Sequence, residues 1–279
     1  MPHSQSLLGP LHSQRIHMNP IYTSDNIRIA YQLNWSLTVF WKSPPETDDW
    51  LQCLKDATET DGVRVLSHRF ATPHCSQFLT STKPFVRPMD VARVVKGRLQ
   101  YIVRDRWPKP FQRNYDLRSV GASKLNQLEA SVASQMEHHH PNDPRLRAIF
   151  ADLQIIQPDV DLSRWRLTSH ARYWSNLHVV LVNDWRRCTM ELAFWLAVRE
   201  MIREVSAANG HLLSRAGIVP DHIHLLLGTG VGEAPIDVAL SYMNSIASAR
   251  DASPLFMRGC YIGTCGEYDL GAIPDGRVQ

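Results

Sequence analysis

The chain has 279 residues, 44% of them apolar, which suffices for one large core or two smaller ones. Thirty Lys and Arg against 27 Asp and Glu leave a formal charge of +3, so no single-sign field covers the molecule and basic patches must be local. Five cysteines, an odd number with no CxxC pair, argue against a disulfide framework or a cysteine-type zinc site and fit a reduced, cytoplasmic protein.

In chain order, residues 1–27 read as a loose arm rich in Pro, Ser and His, with no apolar core of a signal peptide. No apolar run nears the roughly 20 residues of a membrane span. "YQLNWSLTVF" alternates through Trp35, Leu37 and Val39 and predicts a strand. "WLQCLKDATE" predicts a short helix, and a strand pair follows around "PHCSQF". A second helix starts near Asp90, an acid just after a proline. A strand then runs through Tyr115. Residues 141–168 carry repeated turn signals and read as a linker.

The order then repeats. Leu177, Val179 and Leu181 alternate in a strand. "CTMELAFWLAVREMIREVSAANG" predicts a helix with Gly210 as its stop. A strand pair follows around "PDHIHL", a helix near Asp237 and a strand through Tyr261. Anchors stay in register: Leu66, Ser67 and Pro73 meet Leu213, Ser214 and Pro220 at a shift of 147, and "PMDVA" meets "PIDVA" at the same shift. "FQRNYDLRSVG" meets "FMRGCYIGTCG" at 145, and "YQLNWSLTVF" meets "YWSNLHVVLV" at 142. Each half thus reads β-α-β-β-α-β, an α+β fold of two tandem ferredoxin-like units with helices on one face. The expected domains are 28–140 and 169–279.

In "GIVPDHIHLLLGTG", His222 and His224 lie two apart on a strand and so point to the same side, a half-site for a divalent ion. With "PLFMRGCYIGTCGEYD" downstream, this segment resembles the HUH (His-hydrophobe-His) single-strand DNA transposases with one catalytic tyrosine, including the REP-associated type. The resemblance covers roughly residues 28–279. It implies dimers of ferredoxin-like domains and Mg²⁺ or Mn²⁺ held by the two histidines and a polar residue on the last helix. It also implies a tyrosine on that helix, often the partner domain's, which attacks single-stranded DNA beside a hairpin.

Carried over residue by residue, His222 and His224 match the metal pair, while the first half has Cys75 and Gln77 there. Gln135 matches the polar ligand. The tyrosine position four residues earlier is Ser131, and its counterpart in the second half is Gly276. Neither is a phenol; Tyr268 is the spare phenol after the last strand, whereas Tyr115 and Tyr261 read as structural strand residues. The candidate nucleophiles are therefore Tyr268 and Ser131. Two copies in one chain would replace the dimer, with Gln135 and the histidines forming one composite site; further dimerisation stays open.

Basic residues crowd between Lys83 and Arg118 with aromatics among them, the pattern of a single-stranded nucleic-acid surface. The expected contacts are Arg93, Lys96, Arg98, Arg104, Arg106, Lys109 and Arg113, with Arg258 from the second half. His138, His139 and His140 read as a solvated helix end. The resulting expectation is a transposase-like protein that cleaves and rejoins hairpin-flanked single-stranded DNA. The alternative is an inactive descendant that only binds structured DNA or RNA, and a third class is an unrelated His-x-His metalloenzyme.

Overall fold

The structure is a computed structural model that describes residues 19–43, 45–135, 148, 150–184, 191–248 and 253–270. It is an α+β protein with two six-stranded sheets. Strands β1 (Arg28–Gln32) and β2 (Asn34–Trp41) precede α1 (Leu51–Glu59), β3 (Val63–Thr72), β4 (Cys75–Thr82), α2 (Pro88–Val103), β5 (Phe111–Val120) and α3 (Leu125–Ala133). Two short strands, β6 (Ile155–Ile156) and β7 (Arg166–Leu167), lie between the halves. Then come β8 (Ala171–Trp174), β9 (Asn176–Asn183), α4 (Leu192–Asn209), β10 (Leu212–Ile218), β11 (His222–Gly228), α5 (Pro235–Ser248) and β12 (Phe256–Cys265).

The first sheet runs β3-β4-β2-β5-β8-β7 and the second β6-β10-β11-β9-β12-β1. Within each, the four strands of one β-α-β-β-α-β unit lie side by side in the same order: second, third, first, fourth. The outer strands are exchanged. β1 leaves the first half and pairs in parallel with β12, whereas β8 leaves the second half and pairs in parallel with β5. The segment expected to be a plain linker adds a two-residue strand to each sheet.

Local chemistry accounts for the helices. Pro88 and Pro235 open α2 and α5, where the missing N–H costs no hydrogen bond, and Asp90 and Asp237 sit at the positive end of each dipole. Gly210, at φ 66°, ends α4 in the left-handed conformation that glycine adopts without strain. On α2, Val91, Val95, Leu99 and Val103 form the buried stripe that meets Trp35, Leu37 and Val39 of β2. On the second sheet, Ile223, Leu225 and Leu227 face Trp195 and Ile202 of α4 and Tyr242 and Ile246 of α5. Each such side chain contributes roughly 1.5–3 kcal/mol by leaving water. Tyr22 and Ile27 join this second core, and the Tyr22 hydroxyl bonds the backbone of Phe256. The expected arm is therefore shorter than 1–27: its described end is packed.

Matched contacts join the halves. The Ser119 hydroxyl donates to the Cys265 carbonyl and the Thr264 hydroxyl to the Val120 carbonyl, both at 2.6 Å. The Asn176 N–H donates to Ser119 Oγ and the Asn34 N–H to Thr264 Oγ1. Leu125 N–H reaches Gly266 O and Leu270 N–H reaches Gly121 O. Adding 145 to 119, 120, 121 and 125 gives 264, 265, 266 and 270, so each contact maps onto its mate when the halves are exchanged, as in an isologous interface. The junction requires two glycines. A Cβ on Gly121 would lie 2.6 Å from the Thr264 carbonyl oxygen, and one on Gly266 would run into that of Ser119. No helix among the described residues is long and apolar enough to cross a membrane.

Candidate metal and nucleic-acid site

The alternation of β11 that buries Ile223 and Leu225 against α4 and α5 turns His222 and His224 to the opposite face of the sheet. α3, which belongs to the first half, packs on that face. Its Leu125 meets Leu226, and its Glu129 accepts a 2.6 Å hydrogen bond from Ser214 of β10. Gly217 of β10, directly opposite His224, lets the end of α3 close in: a Cβ there would lie 3.0 Å from Gln135 Cγ and 3.1 Å from the Val132 carbonyl. Directly opposed residues share a face. The structure thus brings Gln135, from one half, to the strand beside His224, from the other. Gln135 is buried and donates through Nε2 to the Ser131 carbonyl.

The imidazoles are held from behind. His222 Nδ1 lies 2.9 Å from Asp221 Oδ1, and His224 Nδ1 lies 2.8 Å from Nε2 of His178 on β9. The His222 and His224 rings stand 4.6 Å apart at 71°, while His178 and His224 stack at 5.0 Å and 13°. With Nδ1 engaged on both rings, a metal would reach each through Nε2, the usual arrangement in which the distal ring nitrogen is fixed by a second partner. Burial, followed by the charge of nearby His222, pushes the His178 pKa down to about 4, so this ring is neutral at pH 7.

Among the described residues, no group of three or more His, Cys, Asp and Glu side chains is arranged to hold a metal. Two imidazoles and a carboxamide fall below that count but form a mixed nitrogen and oxygen donor set. Its nitrogens suit Mn²⁺ better than Mg²⁺, which prefers oxygen. In donor type, these residues suit a divalent ion that keeps several water ligands.

The candidate nucleophiles are not gathered with them. Tyr268 lies against the first sheet, in a small cavity lined by Ser36, Arg118 and Trp174, with its ring 6.0 Å from the Arg118 guanidinium. The segment after β12, bonded through Leu270 to Gly121, carries it to the face of the first sheet that holds Ser36, not to the imidazoles. Ser131 is exposed on α3, and its carbonyl accepts from Gln135 and Ser134. Gly276 and His138 to His140 lie outside the described residues. The phenol that shares the imidazole face is Tyr261 of β12: its ring meets His178 edge-on at 5.9 Å, and burial raises its pKa. It lies over Gly263, where a Cβ would collide with the ring.

The basic residues expected to contact nucleic acid are largely tied into the layer of α1 and α2. Arg98 pairs with Asp61, Arg106 with Asp49 and Arg93 with Asp90. Arg104 covers the Tyr101 ring at 4.3 Å, and Lys96 donates to the carbonyls of Gln112 and Arg113. Lys109 and Arg113 are exposed, and Arg258 is exposed on β12 of the other sheet. The structure brings Arg93 to Arg113 together on the first half but leaves Arg258 apart. The spacing of charges in sequence carried no information about these in-chain carboxylates.

Two further imidazoles are buried in networks of their own. His68 bonds Asp48 and Ser76, but Ser76 is fully buried and also takes the Trp41 indole N–H. His211 links Glu233 to the fully buried Tyr242 hydroxyl. In both, the ring is enclosed and only the carboxylate at its outer end reaches solvent.

No protein-family model and no curated protein matches the sequence. Among solved structures, a candidate transposase from Deinococcus radiodurans aligns over 39% of this chain and 92% of its own, at 18% identity and a TM-score of 0.31. An unknown protein from Galdieria sulphuraria aligns over 84% of this chain and 97% of its own, at 10% identity and a TM-score of 0.22. Both likenesses are weak, and neither decides the function of this chain.

Proposed function

We propose that this chain is a transposase-like HUH protein, two ferredoxin-like units fused into a pseudo-dimer, that binds and cleaves single-stranded, hairpin-flanked DNA. One observation carries the reading: α3 of the first half delivers Gln135 to the strand beside His224, while Asp221 and His178 hold Nδ1 of the two imidazoles. His222, His224 and Gln135 would hold the ion, Mn²⁺ or Mg²⁺, which supplies positive charge to a phosphodiester. The matched contacts between the halves support the fused pseudo-dimer. Cleavage of this class joins a phenol oxygen to phosphorus and breaks the bond to the 3′ oxygen, which leaves with a proton as a 3′-hydroxyl. We place the protein in the cytoplasm, on its cysteine usage.

A second reading is favoured by a specific observation: Tyr268 lies on the other sheet, Ser131 replaces the helix phenol, and the Tyr261 phenol is raised in pKa by burial. In that reading the chain grips structured DNA or RNA without cutting it. Labelled hairpin DNA incubated with Mn²⁺ and resolved on denaturing gels separates the two. A covalent adduct that is lost in His222→Ala and in Tyr261→Phe supports cleavage from the imidazole face. Salt-sensitive binding without an adduct supports the second reading, and no binding at all contradicts both.

A further inference from the structure

His178 is 44 residues before the His-x-His pair, on a different strand, and outside the ligand set. Yet its Nε2 lies 2.8 Å from His224 Nδ1 with the two rings nearly parallel. Register fixes this meeting. His178 of β9 pairs with Leu226, two residues from His224 on the same face, so the two side chains are diagonal neighbours across the strands. Gly263 of β12 stands directly opposite His178 and leaves the room that Tyr261 fills, which closes the outer side of the ring.

We propose that His178 is a positioning residue that fixes the tautomer of His224, so that Nε2 of His224 carries the lone pair a divalent ion needs. This rests on the metal reading above. A metal on Nε2 requires the proton of His224 to sit on Nδ1, and Nδ1 then donates to Nε2 of His178. His178 must therefore accept, and carries its own proton on Nδ1. The two ligands are supported unequally: a carboxylate, Asp221, backs His222, and a neutral ring backs His224. A second carboxylate at position 178 would also orient His224 but would bury a negative charge beneath the ion; the neutral acceptor orients the ring and leaves the charge of the site to the ion and the phosphate.

The first sheet has the same contact without the chemistry. Subtracting 142 from 178 and 147 from 224 gives Ser36 and Gln77, and Gln77 Nε2 donates to Ser36 Oγ at 2.9 Å. A side-chain bond between these two strand positions is thus a feature of both halves. In the second half both partners are imidazoles, and with His224 as the donor the bond leaves its Nε2 for a metal.

Two measurements on the full chain test this. In the metal-free protein, long-range ¹H–¹⁵N correlation should show His224 as the Nδ1–H tautomer; the opposite tautomer overturns the proposal. In Mn²⁺ titrations, His178→Leu should weaken binding between about 10- and 100-fold, and His178→Gln, whose carboxamide oxygen can accept from Nδ1, should restore most of it. Wild-type protein that binds no Mn²⁺ overturns the metal reading and this proposal together. Binding that is lost in His224→Ala but unchanged in folded His178→Leu overturns the positioning role alone. Should His178→Leu not fold, the His224 tautomer and the His178→Gln titration still decide.

Discussion

The two sheets share strand order and register, but the faces turned away from their paired long helices differ. On the second sheet that face carries His222, His224, His178 and Tyr261, with Gly217 opening room for Gln135. On the first, the corresponding face carries Cys75, Gln77, Ser36 and Asp116, and Arg69, cross-strand from Gln77, bonds it at 2.7 Å. Between the sheets, by contrast, Ser119 and Thr264, Val120 and Cys265, and Gly121 and Gly266 still make the same contacts. On these faces side chains meet side chains rather than backbone, and Ser36 with Gln77 or His178 with His224 each satisfy the other, so the chemistry can differ between the halves. A junction where backbones touch is held by geometry, and only the small residues fit.

The largest effect expected from this comparison is at the junction. Gly266→Ala and Gly121→Ala each drive a methyl group into a carbonyl of the other half and should cost about 1–3 kcal/mol or more, read as a lower urea midpoint. Equal stability to wild type would mean that the halves are not in contact there. Because the two sites are mates, their penalties should be alike.

The next effect is with pH: besides His178, whose pKa burial holds at about 4, each half supplies one buried imidazole. Burial lowers the pKa of His68 in the first half and of His211 in the second, partly offset by Asp48 and Glu233. The unfolded chain binds these protons near pH 6.5, before the folded chain does. Stability is therefore full above that value and falls as pH drops toward the lower folded pKa values. Urea midpoints at pH 7.5 and 5.5 measure the loss, and His68→Gln should remove the first half's share. A midpoint that rises on acidification contradicts neutral burial of these rings.

The smallest effect is again paired. Ser119→Ala and Thr264→Val each remove the bond that the hydroxyl donates across the junction and the one that it accepts, leaving an N–H of Asn176 or Asn34 without its acceptor. Each should cost about 1 kcal/mol, by equal amounts within the error of denaturant titration. A large inequality would show that the junction is not used alike by both halves.

Much of the element order was legible in the chain, because alternation through Trp35 to Val39 and Leu177 to Leu181 and the Pro-x-Asp starts of α2 and α5 are local signals. The exchange of β1 and β8 was not. "RIAYQ" and "ARYW" are short strands, and nothing local says which sheet a short strand joins. Of the site, His222, His224 and Gln135 could be named from spacing and resemblance. Tyr268 could not be assigned to a sheet without knowing that the segment after β12 bridges to Gly121 of the other half. His178 went unnoticed because its partner lies 46 residues away, although it does fall on the polar side of an alternating strand, between buried Leu177 and Val179. Tyr261, read as structural, lies on the same face because β12 runs beside β9.

The account stands on one composite site shared by two halves of one chain. Titrating the full-length protein with Mn²⁺, followed by calorimetry or by loss of the free-ion electron paramagnetic resonance signal, tests it directly. One bound ion is predicted, lost in His224→Ala and weakened in Gln135→Ala, a change in the other half. No bound Mn²⁺, or binding that neither substitution alters, would contradict it.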